Sequence, residues 1–190
     1  MVSTPVTSPV TIGVAIPVPE PYATALREHR ASFGDPQAAT VPTHVTLVPP
    51  VPVGATALEG VEAHLTAVAG RHPAFEVRLR GTGTFRPVSP VVFVTVAQGI
   101  SECELLAEDV RTGPLAGRPQ FPYHPHVTVA HHLDDAGLDR AFDCLADYRC
   151  DFAVGGFVLY AHDAAAGWRE RRAFALGDVG SRSRTDGRPG

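Results

Sequence analysis

The chain has 190 residues and a formal net charge of −4 at pH 7, with 44% hydrophobic and 19% charged residues. These values are typical of a globular protein with one domain or two small lobes. A net negative charge also excludes a general binder of long duplex nucleic acid, because such a protein needs a basic surface to displace counterions.

The first half of the chain alternates strand-like and helix-like patterns of hydrophobic residues. Residues 1–10 are rich in serine, threonine, proline and valine and are expected to form a flexible N-terminus. The predicted elements that follow are a strand over 11–18, a helix over 21–34, a strand over 44–50, a helix over 55–69, and strands over 75–85 and 91–97.

The second half repeats this alternation. A helix is predicted over 101–115, with Ser101 as its N-cap and Glu104 three residues later, the pattern of a capping box. The remaining predictions are a strand over 125–130, a helix over 134–148, a closing hairpin from 150–163 and 168–176, and a disordered tail over 178–190. The order predicts one α+β domain over residues 11–177 with an internally duplicated strand-and-helix unit.

The compartment is predicted from targeting signals and cysteine usage. The N-terminal segment has no basic stretch before its apolar residues, prolines interrupt it, and no apolar run in the chain is long enough to span a bilayer. The three cysteines, Cys103, Cys144 and Cys150, form no C-x-x-C pair, so they indicate neither a zinc ribbon nor a disulfide framework. We therefore expect a cytoplasmic protein without a membrane partner.

Two short segments share the pattern H-V-T followed by an aliphatic residue. They are HVTL, which begins at His44, and HVTV, which begins at His126, 82 residues later. Because side chains alternate along a strand, His44 and Thr46 share one face, about 6.5–7 Å apart, and so do His126 and Thr128. If the two strands are neighbours, two imidazoles and two hydroxyls converge.

That set of groups suits the hydrolysis of a phosphodiester. The unperturbed histidine pKa of about 6.5 allows one neutral imidazole to activate water while the other, protonated, supplies a proton to the departing oxygen. The hydroxyls can hold the non-bridging phosphate oxygens as negative charge develops. The scheme needs no metal ion or other cofactor, and the residues alone leave open which histidine is the base.

On these two motifs the chain resembles the two-histidine (2H) phosphoesterase superfamily, and within it the 2′-5′ RNA ligase and RNA 2′,3′-cyclic phosphodiesterase group. The resemblance covers about residues 11–176. It implies a bilobal fold, with two antiparallel-sheet lobes and outer helices around a central cleft. It further implies that His44 and His126 are the catalytic acid and base, respectively, and that Thr46 and Thr128 bind the phosphate. The implied reaction is the metal-free opening of a 2′,3′-cyclic phosphate at an RNA end.

The chain departs from RNA-end members of this family after the second motif, where they often carry an arginine. His131 and His132 stand there instead, which also suits a small cyclic nucleotide or an ADP-ribose cyclic phosphate. His131 is a candidate substrate contact, as are Tyr123, which precedes the strand, and Arg86, which can contact a phosphate. An RNA end or a small cyclic nucleotide is the expected partner of a monomeric enzyme.

Three alternatives stay open at this point. His124, His126 and His132 could hold zinc, although a catalytic zinc site usually has carboxylate neighbours and this hypothesis leaves HVTL unexplained. A non-catalytic module that binds nucleotides or RNA ends would keep the fold and the cleft without turnover. The same groups could also join RNA ends as a 2′-5′ RNA ligase, because ligation is the reverse of cleavage.

Overall fold

The structure, a computed structural model, describes residues 9–117 and 121–177. The predicted tail and residues 1–8 of the predicted flexible N-terminus lie outside the described residues. The strands of the described chain are Val10–Pro17 (β1), His44–Val53 (β2), Phe75–Thr84 (β3), Val91–Gln98 (β4), His126–His131 (β5), Arg149–Val154 (β6), Gly156–Asp163 (β7) and Gly167–Ala175 (β8). The helices are Tyr22–Ser32 (α1), Leu58–Ala69 (α2), Ile100–Val110 (α3) and Asp135–Cys144 (α4), with short 3-10 turns at Ala55–Ala57 and Gly113–Leu115.

The eight described strands form one antiparallel sheet in the order β6-β3-β4-β5-β2-β1-β7-β8. The two central strands, β5 and β2, are the ones that carry the H-V-T motifs. They are joined at a single residue pair, Val45 opposite Val127, whereas each of them is paired with its other neighbour over several residues. The sheet therefore consists of two four-stranded halves that meet between the motifs.

One half of the sheet is assembled from two separate stretches of chain, and the other half from one continuous stretch. One half contains β1, β2, β7 and β8, and the other contains β3 to β6. The predicted α+β fold is confirmed, whereas the internal duplication stays a prediction. The chain thus passes from one half to the other after β2 and returns after β6.

The predicted closing hairpin is correct only in its second part. The segment 150–163 contains two strands: β6 pairs with β3 at one outer edge of the sheet, and β7 pairs with β1 and β8 in the other half. The hairpin consists of β7 and β8. The local pattern of hydrophobic residues does not show this division, because partner choice is decided by residues far away in the sequence.

The predicted capping box at the start of α3 is wrong. The helix begins at Ile100, before Ser101, and its N-cap is Gly99, which has a left-handed backbone with a φ of 89°. A side chain at Gly99 would lie 2.7 Å from the carbonyl oxygen of Glu76, so this close turn against β3 requires glycine.

The helices pack on one side of the sheet and leave the other side to form clefts. The motif residues that face the helices are fully buried in the apolar core; they are Val45, Leu47, Val127 and Val129. Burial of an aliphatic side chain stabilises a fold by about 1.5–3 kcal/mol, so the register of both strands is strongly determined. Among the described residues, no helix is long and apolar enough to cross a membrane.

Candidate active site

The pairing of Val45 with Val127 places the polar residues of both motifs on the opposite face of the sheet. In an antiparallel pair the register runs in reverse, so His44 lies beside Thr128 and Thr46 lies beside His126. The two histidines are then diagonal neighbours, with backbones about 7–8 Å apart. The structure thus brings four predicted site residues together around one point.

Both motif histidines are held in the same tautomer by local hydrogen bonds. Nδ1 of His44 donates to the carbonyl oxygen of Pro42 at 2.6 Å, and Nδ1 of His126 donates to that of His124 at 2.7 Å. Because a carbonyl oxygen only accepts, the proton of each neutral ring is on Nδ1 and Nε2 carries the lone pair. Nε2 of His44 lies 3.1 Å from Oγ1 of Thr46.

The surroundings of both imidazoles disfavour the charged form. Burial is the main cause that lowers the pKa of His44 from its ordinary value of 6.5, and the positive charge of Arg30 adds to it. Burial also lowers the pKa of His126, with smaller contributions from the charges of His124 and His44. In the free protein both rings are therefore neutral at neutral pH, and each can accept a proton at Nε2.

Two phenylalanines fix the ring of His126 against the sheet. The ring centroids of Phe85 and Phe93 lie 4.9 and 5.1 Å from that of His126. Phe93 itself lies over Gly83 on the neighbouring strand, where a Cβ atom would come within 2.5 Å of the ring. This packing leaves the imidazole little rotational freedom and keeps Nε2 at one position.

Two clefts meet at the motif residues. The smaller cleft, of about 200 Å³, lies on the His44 side and is lined by Gln37, Tyr160 and Trp168 among others. The larger cleft, of about 720 Å³, lies on the His126 side. Thr46 and Val48 line both clefts. His44, Thr46 and His126 therefore stand where the two spaces meet, each with room for part of a ligand, whereas Thr128 is not among the residues that line either cleft.

A bulge in β5 turns His131 toward the same face as the motif residues. Thr128 pairs with Phe93 and Ala130 pairs with Val92, so β5 has one extra residue there. His131 consequently pairs with Val91, although strict alternation from His126 would point it toward the helices, and it is not among the residues that line either cleft. Burial lowers the pKa of His131, and its ring stacks on that of His132.

The other two predicted contact residues have defined partners. The hydroxyl of Tyr123 donates to the carbonyl oxygen of Thr46 at 3.1 Å, and the ring lines the larger cleft. Arg86 donates to Asp139 at 2.7 Å and is not among the residues that line the two clefts. Its predicted contact with a phosphate would require that ion pair to open.

Sequence patterns missed the residues that complete the clefts. Trp168 and Tyr160 come from the β7–β8 hairpin, and Arg111 comes from the end of α3. None of them lies near a motif in the sequence, and only the strand order brings them to the site. In residues 9–117 and 121–177, no group of three or more histidine, cysteine, aspartate or glutamate side chains is arranged to hold a metal ion.

Comparisons with known proteins agree with this fold. The sequence model of the 2′-5′ RNA ligase superfamily matches residues 17–166. A Bacillus cytotoxicus protein that carries a provisional phosphoesterase name is 31% identical over 145 residues, which are 75% of this chain and 84% of that protein. A Bacillus licheniformis protein with a similar provisional name is 32% identical over 101 residues, which are 53% of this chain and 59% of that protein.

Solved structures give the same result for the fold. The crystal structure of E. coli LigT with NADP+ has a TM-score of 0.62 and 23% sequence identity, and covers 88% of this chain and 98% of that one. LigT with 3′-AMP gives a TM-score of 0.61 at 22% identity, covering 90% and 99%. The chain belongs to the 2′-5′ RNA ligase superfamily, whose members are 2H phosphoesterases. The relatives support an enzyme of the phosphoesterase or ligase kind.

Proposed function

We propose that the chain is a metal-independent phosphoesterase that hydrolyses 2′,3′-cyclic phosphates at RNA ends or on small nucleotides. The observation that carries the proposal is the diagonal placement of His44 and His126 across the Val45–Val127 contact, each with Nε2 unprotonated and a threonine as its neighbour on the adjacent strand. Since the four groups come from one chain, a monomer suffices. We place the enzyme in the cytoplasm, where RNA ends are available.

In the proposed reaction, His126 is the base and His44 is the acid, as the family resemblance implies. Nε2 of His126 takes a proton from water, whose oxygen forms a new bond to phosphorus. The bond from phosphorus to one ribose oxygen breaks, and protonated His44 delivers its Nε2 proton to that oxygen. The product is a phosphomonoester, and solvent exchange restores both protonation states.

The threonine hydroxyls stabilise the charge that develops on the phosphate, and the substrate itself stabilises the protonated form of His44. Thr46 and Thr128 donate to the non-bridging oxygens as negative charge develops in the transition state. His44 must be protonated although burial lowers its pKa, and a bound phosphate anion favours the imidazolium form. Substrate binding therefore prepares the acid at the moment when it is needed.

The smaller cleft supports a nucleoside as the group that carries the cyclic phosphate. Tyr160 and Trp168 offer aromatic faces beside His44, and bases of any sequence stack on such faces. LigT, which shares the fold, has been crystallised with 3′-AMP and with NADP+. For this chain those complexes support a nucleotide ligand without selecting one.

The test is hydrolysis of adenosine 2′,3′-cyclic phosphate by the purified protein in EDTA. We expect turnover, and a loss of at least about 10²-fold in kcat/KM for His44→Ala and for His126→Ala, because each removes a general acid or base. Full activity of either variant, or activity that depends on added zinc, would refute the mechanism. Tight binding without turnover would identify a non-catalytic nucleotide-binding module instead.

Ligation is the second candidate function, and the larger cleft favours it. A space of about 720 Å³ on the His126 side exceeds what a water molecule requires and would accept a nucleoside with a free 5′-hydroxyl. Incubation with one RNA that ends in a 2′,3′-cyclic phosphate and another with a 5′-hydroxyl distinguishes the two. A 2′-5′ joined product indicates a ligase, and release of the phosphomonoester alone indicates a hydrolase.

A further inference from the structure

The strands β2 and β5 are bridged only at the Val45–Val127 pair, so the β2 carbonyls that face away from β1 need other partners. The hydroxyl of Tyr123 donates to the carbonyl oxygen of Thr46, and Nε of Arg111 donates to that of Leu47 at 2.6 Å. The guanidinium of Arg111 also lies over the ring of Tyr123, 4.8 Å from its centroid. One hydrogen bond and one cation–π contact therefore hold Arg111 beside the motif strand, and the ring it lies over is itself bonded to that strand.

Arg111 brings a positive charge into a cleft without acidic residues. It lines the larger cleft with Thr46 and His126, and no carboxylate is among the described residues of that lining. Within 9–117 and 121–177, neither Nη nitrogen of Arg111 has a hydrogen-bond acceptor in the protein, and no ion pair includes this residue. Burial lowers the pKa of Arg111, because removing the charged guanidinium from water costs desolvation free energy. A bound anion would offset that cost.

We propose that Arg111 binds a second phosphate of the substrate in the larger cleft, next to the scissile phosphate at the motif residues. The proposal rests on the proposed function, since it names the substrate class of the same site. In an RNA end the second phosphate is the phosphodiester that links the terminal nucleotide to the one before it. A nucleotide with a pyrophosphate, such as an ADP-ribose cyclic phosphate, offers the same chemistry.

The position of Arg111 fits two phosphates of one substrate. Its Nε contacts the residue after Thr46, which is about 3.3 Å further along the strand, and its two Nη nitrogens remain as donors for an anion in the cleft. Guanidinium groups bind phosphate through paired N–H donors, which a fixed Arg111 can present. Phe121, 58% exposed at the cleft, offers a face on which a second base can stack.

The experiment compares three substrates that differ in the second phosphate: adenosine 2′,3′-cyclic phosphate, the dinucleotide ApA with a terminal 2′,3′-cyclic phosphate, and an ADP-ribose cyclic phosphate. The variant is Arg111→Gln, which keeps a donor for the carbonyl of Leu47 and removes the charge. Arg149→Gln, which changes an exposed arginine on the outer strand β6, is the matched control.

For Arg111→Gln we expect about a tenfold loss of kcat/KM on a two-phosphate substrate, mainly through KM, and less than a twofold change on adenosine 2′,3′-cyclic phosphate. If the loss is seen with the dinucleotide, the second phosphate is the phosphodiester of an RNA end. If it is seen with the ADP-ribose cyclic phosphate, the second phosphate belongs to the pyrophosphate. Arg149→Gln should match the wild type on all three. An equal loss of kcat/KM on all three substrates would show that Arg111 only stabilises β2 and would overturn the proposal. Unchanged kcat/KM on all three would overturn it as well.

Binding of the dinucleotide product ApAp separates this proposal from the function itself. Calorimetry should show that wild-type protein binds ApAp more tightly than 3′-AMP and that Arg111→Gln reduces the difference to what stacking of the second base on Phe121 contributes. This result without turnover of any substrate would contradict the hydrolase and leave Arg111 as an anion-binding residue. Turnover of all substrates with equal affinity for both products would contradict the role of Arg111 and leave the hydrolase intact.

Discussion

Each motif histidine donates its Nδ1 proton to the carbonyl two residues before it, Pro42 for one and His124 for the other. The bonds are local, so the chain segment that enters each strand also sets the tautomer of its histidine. A histidine held in this way presents Nε2 to the cleft whether it acts as the base or, once protonated, as the acid. The same local device therefore serves both proposed roles.

Removal of a single hydroxyl tests the role of the threonines. Thr46→Val keeps the side-chain shape, and we expect kcat/KM to fall about 10²-fold because one donor to the developing charge is lost. Thr46→Ser keeps the hydroxyl and should stay within about tenfold of the wild type. Steady-state kinetics on adenosine 2′,3′-cyclic phosphate measure both.

The control for this series is Thr66→Val, on the exposed side of α2, where the hydroxyl donates to the carbonyl of Glu62 within the same helix. It should not change the activity. If Thr46→Val is as active as Thr66→Val, the hydroxyl of Thr46 does not stabilise the transition state.

The sequence was sufficient to predict the motif residues but not those that surround them. His44 and Thr46 could be assigned to one face because strand periodicity is a local property. Trp168 and Arg111 could not, because they reach the clefts through a hairpin and a helix end whose positions depend on the whole sheet. Arg86 was predicted as a phosphate contact from its type alone, and its ion pair with Asp139 was not visible in the sequence.

Among the elements, the end of β5 is held in place by a buried ion pair. Asp35 accepts hydrogen bonds from the backbone N–H of His131 and from Nε of Arg30, both at 2.8 Å. Arg30 and Asp35 are only 6% and 4% exposed. The loop after α1 is thereby attached to the strand that carries the second motif.

Asp35→Ala should be strongly destabilising, because it leaves Arg30 buried without its counter-charge. We expect the free energy of unfolding to fall by about 3–5 kcal/mol. Asp151→Ala, which breaks half-exposed pairs with Arg78 and Arg80, should cost about 1 kcal/mol or less. Urea denaturation of both variants gives the comparison, and equal stability losses would show that the buried pair has no special role.

Most element boundaries could be predicted to within a few residues, since strands and helices here follow clear hydrophobic periods. The bulge in β5 could not, because it follows from the register with β4 rather than from any residue in HVTVAHH. That bulge decides the face on which His131 lies. The division of 150–163 into two strands of different sheet halves was missed for the same reason.

At the scale of the whole molecule, the proposed reaction requires both halves of the sheet. The half with β1, β2, β7 and β8 contributes His44 and Thr46, and the half with β3 to β6 contributes His126 and Thr128. The site lies where the halves meet, at one pair of buried valines. The predicted α+β class did not reveal this arrangement, because the chain crosses between the halves twice.

The pH dependence of kcat/KM on adenosine 2′,3′-cyclic phosphate in EDTA tests the two-histidine mechanism most directly, because kcat/KM reports the pKa values of the free enzyme. Burial lowers the pKa of both His44 and His126 below 6.5. Activity should fall in acid as the base becomes protonated and fall at higher pH as the acid loses its proton. We predict a bell-shaped profile with its maximum below pH 6.5. A profile with a single limb, or a maximum above pH 7, would contradict the mechanism.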